Sequence, residues 1–272
     1  MIHLIDRYFL KQPGIRRFVT KLFHGDHEVR VTLLAQRYHV HTVREHGFFR
    51  ASKIAQTCSL FRDEAPVLLH LAGLLCEGDT FLDIGANIGI FAANIARFRS
   101  IYPKLTIYAF EPNQDTAKRL RENAEPLGVV VFAIALSNRS GTLEFVGGAV
   151  SNVFTTIENA SSYSISQERS TCECRRLDEF PISGNSLVMK IDVEGQEWEV
   201  LEGSFRYFEE GRVKAVYLDD YKDSRVRGFL DRYGFLYLNG RTLEPATQET
   251  RHLLAVRSVA VEEKLFVPTG SP

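Results

Sequence analysis

A chain of 272 residues that is 44% hydrophobic and 25% charged holds enough apolar material for one large core. Its formal net charge of −1 supplies no basic field, so nucleic acid is not an expected partner. Four cysteines (Cys58, Cys76, Cys172, Cys174) are too few and too scattered for a disulfide framework and are expected as reduced thiols.

Residues 1–24 interleave apolar positions from Ile2 to Phe23 with Arg7, Lys11, Arg16, Arg17 and Lys21, and Pro13-Gly14 interrupts them. Two short basic amphipathic helices are expected. They would be packed on the domain or in a homo-oligomer contact in preference to a membrane-surface contact. Residues 28–54 alternate like an edge hairpin, and His39 and His41 share a face with no third ligand near. Asp63 is expected to cap an apolar helix through Val67, Leu68, Leu71 and Leu74-Leu75, closed by Gly78. No run of about 18 apolar residues and no signal-peptide core occurs, so a cytoplasmic protein without a transmembrane segment is expected.

The stretch Thr80–Phe91 switches period. Phe81, Leu82 and Ile84 suit a strand covered on both faces, whereas Ile88, Phe91, Ala92 and Ile95 fall at i, i+3, i+4 and i+7, a helical stripe. Gly85 permits the sharp turn between them, and Gly89 permits close approach of backbone or ligand. Such a turn, Asp83-Ile84-Gly85-Ala86-Asn87-Ile88-Gly89, receives a nucleotide-like ligand. It lacks the Gly-Lys-Ser/Thr of a phosphate loop. Asp83 replaces the first glycine of a dinucleotide fingerprint, where a carboxylate would repel a pyrophosphate. An acid there suits a cationic ligand with a ribose and no phosphate, which points to S-adenosylmethionine over NAD or ATP. Glu111, ending the apolar run Leu105 to Phe110, can accept hydrogen bonds from both ribose hydroxyls. Pro112 and Asn113 then start the next helix, marked by Ala117, Leu120 and Ala124.

Val129 to Leu136 is the third expected strand, and repeated β-α units require a parallel sheet with ligand sites at the strand carboxyl ends. From Ser137 to Phe180 the pattern weakens: a strand at Thr142 to Val146, then a polar stretch anchored by Phe154 and Tyr163. Residues 147–170 are expected to form a substrate lid. Cys172 and Cys174 should share one face of a strand. Leu187 to Ile191 and Val213 to Leu218 are the fourth and fifth strands of the sheet. A helix marked by Trp198 and Leu201 and closed by Gly203 lies between them. Phe235 to Leu238 and Leu253 to Val256 read as an antiparallel pair joined through Asn239-Gly240.

Four motifs in order, Asp83-Ile-Gly-Ala-Asn-Ile-Gly89, Phe110-Glu-Pro-Asn113, Ala135-Leu-Ser-Asn138 and Met189-Lys-Ile-Asp-Val-Glu-Gly-Gln-Glu197, resemble the FkbM family of S-adenosylmethionine-dependent methyltransferases over roughly residues 63–257. The resemblance implies an α/β class I methyltransferase fold. This is a Rossmann-like three-layer sandwich with a mostly parallel seven-stranded sheet and an antiparallel last strand. An N-terminal helical and hairpin extension (1–62) would precede the domain (63–272). It further implies a cofactor site at Asp83, Gly85, Ala86, Asn87, Gly89, Glu111, Pro112, Asn113, Ala135, Leu136 and Ser137, and a hydroxyl of a small metabolite, sugar or glycan as methyl acceptor. An NAD-dependent oxidoreductase and a non-catalytic scaffold are the rivals.

Asp192, at the end of the fourth strand, can act as general base or orient the acceptor, with Glu194 the next candidate. Lys190, on the same side by alternation, can hold the Asp192 carboxylate ionised. Asp219-Asp220 departs from the glutamate-centred motif the family implies. With Asp192 it offers three hard oxygens to Mg²⁺, although a metal-free site is favoured.

Overall fold

In the computed structural model, residues 13–53, 60–148, 154–156, 165–247 and 250–257 are described. The N-terminal part comprises helix α1 (Pro13–His24), the hairpin β1 (Glu28–Leu33) and β2 (Gln36–His41), and helix α2 (His46–Ala51). The first of the two expected N-terminal helices lies outside the described residues. A π-helical turn over Leu60–Glu64 runs into α3 (Ala65–Leu74). Asp63 does not cap this helix. Its carboxylate pairs with Arg62 and, at 2.8 Å, with Arg241, so two guanidinium groups outcompete the backbone for it. The helix also ends before Gly78, with Leu75 already extended.

From β3 (Thr80–Ile84) the chain alternates as its periodicity predicts, through α4 (Ile90–Ala96), β4 (Thr106–Phe110), α5 (Gln114–Ala124) and β5 (Val130–Phe132). The expected third strand is broken. Phe132 pairs with Phe110, the last residue of β4, so beyond it no partner is available in the main sheet. Ala135–Leu136 (β6) instead pairs with Cys174–Arg175.

The stretch read as weakly patterned is also more ordered than expected. β7 (Gly141–Gly148), β8 (Phe154–Thr156) and β9 (Ile165–Arg175) build a second, four-stranded sheet in the order β6-β9-β7-β8. The signal for β9 was present: Thr171 and Glu173 are exposed while Cys172 and Cys174 are buried, a period of two. Tyr163 lies outside the described residues, as do residues 149–153 and 157–164 of the expected lid.

The chain continues through β10 (Leu187–Ile191), α6 (Glu197–Glu202), α7 (Phe205–Glu209), β11 (Val213–Leu218), α8 (Arg225–Arg232), β12 (Phe235–Asn239) and β13 (Leu253–Arg257). The main sheet has the order β12-β13-β11-β10-β3-β4-β5, and only β13 runs antiparallel to its neighbours. Alternation along each strand makes three layers. Phe81, Ile107, Val188 and Ala215 pack with residues of α3, α4 and α5, whereas Leu82, Ile84, Met189 and Val216 pack with residues of α6, α7 and α8. This is the class I methyltransferase α/β fold.

The hairpin is fastened to the sandwich through α5. Arg119, 2% exposed at its side chain, pairs with Glu45 at 2.6 Å and Glu28 at 3.2 Å. The side-chain amide of Asn123 donates to the carbonyls of His39 and Ile88, and its oxygen accepts from the His39 N–H. Removing one member of a buried ion pair strands the other charge without solvent. Arg119→Ala should therefore destabilise the protein by about 3–5 kcal/mol, read as a lower urea midpoint, while Arg121→Ala on the exposed side of the same helix should stay near wild type.

Candidate active site

The parallel register brings four strand ends to one edge. Ile84 stands opposite Phe110 and Ile191, and Ile191 opposite Leu218, so Gly85, Glu111, Asp192 and Asp219 all leave the sheet together. The Gly85 and Ala86 N–H groups both donate to the Phe110 carbonyl, which folds the turn back across the end of β4. Gly85 has φ +74°, and a Cβ there would lie 1.9 Å from the Asp192 carbonyl oxygen, so no other residue fits. Gly89 has φ +87°, and what its missing side chain admits is Leu120 of α5, whose Cδ1 would lie 2.6 Å from a Cβ. Asn87 completes the turn with a left-handed φ of 51°.

Asp83, expected to meet a cationic ligand, is fully buried and meets a cation of the chain itself. One carboxylate oxygen accepts the Ala92 N–H at 2.9 Å, and the other lies 3.4 Å from the Lys190 ammonium without a hydrogen bond of good geometry. Asp83, Lys190 and Tyr217 are register partners on three adjacent strands and face the same side. The Lys190 ammonium donates to the Gly85 carbonyl at 2.8 Å and lies 3.3 Å from Asp192. Burial works against its charge, but Asp192, Asp83 and Asp219 outweigh it and raise its pKa above the ordinary lysine value. Burial also raises the Asp192 carboxyl, opposed by Lys190 and reinforced by Asp219. The Asp192 side chain is 39% exposed, so solvent moderates that rise.

Glu111 is buried, and its two oxygens accept the N–H groups of Asn87 and Asn113, each at 3.0 Å. Burial pushes its carboxyl up to about 7. Asn113 caps α5 by accepting the Thr116 N–H, and Pro112 leads into the cap. Ala135 and Leu136 lie in β6, where backbone pairing runs to β9. Leu136 packs in the same core as Ile84 and Phe110, and the buried Ser137 donates its N–H to the Arg175 carbonyl.

Asp192, Glu194, Gly195, Glu197, Asp219, Asp220, Tyr221 and Lys222 line a recess beside the glycine turn. Glu194 holds a left-handed φ of 51° in the turn after β10, and Glu197 accepts the Gly195 N–H. Asp219 is engaged: Tyr217 and His252 reach its Oδ1 at 2.8 and 2.9 Å. Burial pushes its carboxyl up, but these hydrogen bonds prevail and hold it below the usual range. Among the described residues no three His, Cys, Asp or Glu side chains are grouped as metal ligands. His39, read as an unlikely ligand, accepts a hydrogen bond from Arg30 and faces Glu122 at 3.2 Å.

Two participants escaped the sequence reading. Glu64, where the π-helical turn meets α3, feels Asp192, Lys190 and Asp219, and burial pushes its carboxyl up to about 7. Nothing in its local sequence separates it from a helix-start acid. Tyr217 was findable, since it stands two residues before Asp219 on one strand and must share its face.

The sequence profile of the methyltransferase FkbM domain matches residues 83–237. The chain is 34% identical over 148 residues to the hexuronic acid methyltransferase AglP of Haloferax volcanii, covering 52% of this chain and 56% of that protein. Over 78 residues it is 40% identical to the 2-O-methyltransferase NoeI of Sinorhizobium fredii, covering 28% and 31%. It thus spans about half of the first relative and less of the second. Among solved structures, a TehB-like SAM-dependent methyltransferase from Corynebacterium glutamicum aligns with a TM-score of 0.43 at 10% identity, over 78% of this chain and 97% of that one.

The raised carboxyls set a pH dependence. Glu111 keeps its proton when folded up to about pH 7 and loses it near 4.5 when unfolded. The native state therefore binds more protons between these values, and stability falls as pH rises through the window. Glu111→Gln should remove a share of that loss on the order of 3 kcal/mol, seen as a flatter plot of unfolding free energy against pH from 4.5 to 7.5.

Proposed function

Since the chain belongs to the methyltransferase FkbM domain family, we propose that it transfers a methyl group from S-adenosylmethionine to a hydroxyl of a sugar or glycan. The carrying observation is Asp192, held by Lys190 at the carboxyl end of β10 beside the Gly85–Gly89 turn. When bound, S-adenosylmethionine supplies an electrophilic methyl on a positively charged sulfur. The residues present suit that ligand. Glu111 offers a buried carboxylate beside the glycine turn, and its ionised form gains from ribose hydroxyl donors. Asp83, Asp192 and Asp219 surround the one buried lysine, so acids outnumber bases here, which favours a cationic ligand.

Methyl transfer is an in-line displacement, so alignment of the acceptor oxygen carries much of the rate. Asp192 Oδ2 is turned to Lys190, which leaves Oδ1 to accept the acceptor's hydroxyl proton. Asp192 would take up the proton that the acceptor hydroxyl loses on methylation. Lys190 keeps the carboxylate ionised beforehand and Glu194 shapes the turn above it. The names of the relatives, one a hexuronic acid methyltransferase and one a 2-O-methyltransferase, support a sugar hydroxyl. The recess carries five carboxylates against Lys222, which favours a neutral sugar over an acidic one.

An NAD-dependent oxidoreductase is disfavoured because the matched family is one of methyltransferases and the turn carries Asp83 in place of the first glycine of a dinucleotide fingerprint. Asp192→Asn should lower turnover by roughly 10²-fold or more while leaving S-adenosylmethionine affinity nearly intact, a split measurable by calorimetry beside a methyl-transfer assay. Since Tyr217 and His252 already occupy Asp219, EDTA and Asp220→Asn should leave the rate near wild type; activity lost to EDTA and restored by Mg²⁺ would overturn the metal-free assignment.

Residues 147–170, of which 149–153 and 157–164 lie outside the described residues, we propose as a substrate lid, since β9, the strand that leads out of them, pairs with β6. Hydrogen exchange across 151–166 should slow when donor and acceptor are both bound, and exchange indifferent to ligands would make the segment a passive insertion.

A further inference from the structure

Helix α1 is docked by its polar side. Ile15, Phe18, Val19 and Leu22 fall at i, i+3, i+4 and i+7, and Phe23 extends the stripe, so an ordinary surface helix would turn this side inward. Here Thr20, on the opposite side, faces the body, and the exposed His24 one turn on touches it at its edge. Thr20 is buried, and the His24 ring meets Phe49 of α2 edge-on at 4.9 Å. Phe18, Leu22 and Phe23 are left 67%, 66% and 73% exposed. Of the two packings expected, on the domain or in a homo-oligomer contact, the first is not found for these three residues. The orientation is pinned at the helix end, where Gly25 donates to the Lys21 carbonyl and Thr42 of the hairpin donates to the Gly25 carbonyl.

The charge within the helix itself has one sign. The helix sequence carries Arg16, Arg17 and Lys21 and no acid, and the first 24 residues hold five Lys or Arg against Asp6. The Lys21–Asp26 pair at 2.8 Å is solvent-exposed at both ends and so is readily exchanged for another anion. We propose that α1 is an interfacial helix that lays Phe18, Leu22 and Phe23 into an anionic phospholipid bilayer, with Arg17 and Lys21 at the headgroup level. A second copy of this chain fits the face less well, because apposing two such helices would bring like charges together, whereas an anionic surface answers both the apolar stripe and its basic border. Among the described residues no helix is long and apolar enough to cross a membrane. The inference stands on α1 alone and is independent of the reaction assigned to the site.

The full chain should cosediment with phosphatidylcholine–phosphatidylglycerol vesicles, and weakly or not at all with pure phosphatidylcholine. The triple variant Phe18→Ser, Leu22→Ser, Phe23→Ser should lower that partitioning by roughly tenfold or more while keeping the wild-type thermal midpoint, because the three side chains leave no core. Arg17→Glu with Lys21→Glu should weaken it too, and added salt should mimic that loss. Wild-type chain that ignores anionic vesicles, a triple variant that binds them unchanged, or equal binding to neutral vesicles would each overturn the proposal. So would a lipid-free dimer that the triple variant abolishes, which would assign the face to a second copy.

Discussion

A buried ammonium organises the site. Lys190 sits in the middle strand of the sheet with its side chain 4% exposed, where an isolated charge would be prohibitively costly. It is tolerable because Asp83 on one neighbouring strand, Asp192 two residues on and the Gly85 carbonyl all converge on it. The constraint runs both ways. Asp83 can occupy a fully buried position only with that cation beside it, and its other oxygen then holds the Ala92 N–H within α4. The strand, the glycine turn and the helix after it are thus tied to one charge, and the catalytic candidate is tied to the same charge from the open side.

Strands and helices around the site were legible because their signals are local. The period switch at Gly85, the cap at Asn113 and the Gly203 stop each depend on a handful of adjacent residues, and each appears where expected. What stayed hidden depends on distant pairing. Gly85 and Lys190 are 105 positions apart, so the register that sets Lys190 beside Asp83 cannot be read from either segment. A carboxylate in a glycine turn reads equally well as ligand contact or as counter-ion to a lysine, and only the register decides between them.

The broken third strand has the same origin. Val129 to Leu136 is apolar enough to be one strand, but its length in the sheet is set by β4, which ends at Phe110. The surplus residues take β9 as partner and seed the second sheet, so a segment that reads as a loop becomes a wall beside the site. Asp63 failed as a cap for an equally distant reason, because Arg241 lies far along the chain and arrives through the β12–β13 connection.

The N-terminal extension is mechanically continuous with Glu111. Arg119 and Asn123 of α5 hold the hairpin, and Asn123 also donates to the Ile88 carbonyl inside the glycine turn. The same helix begins at Asn113, whose N–H binds the Glu111 carboxylate that in turn accepts from Asn87. Hairpin, helix, acid and turn thus form one hydrogen-bonded circuit, and loosening the hairpin removes a restraint on Ile88 and so on the glycine turn. Helix α1 is joined to that circuit through Thr42 and the hairpin. A surface that captured α1 would therefore act on the segment that also supports the turn, and the extension is built into the support of the candidate site even though none of its described side chains lines the recess.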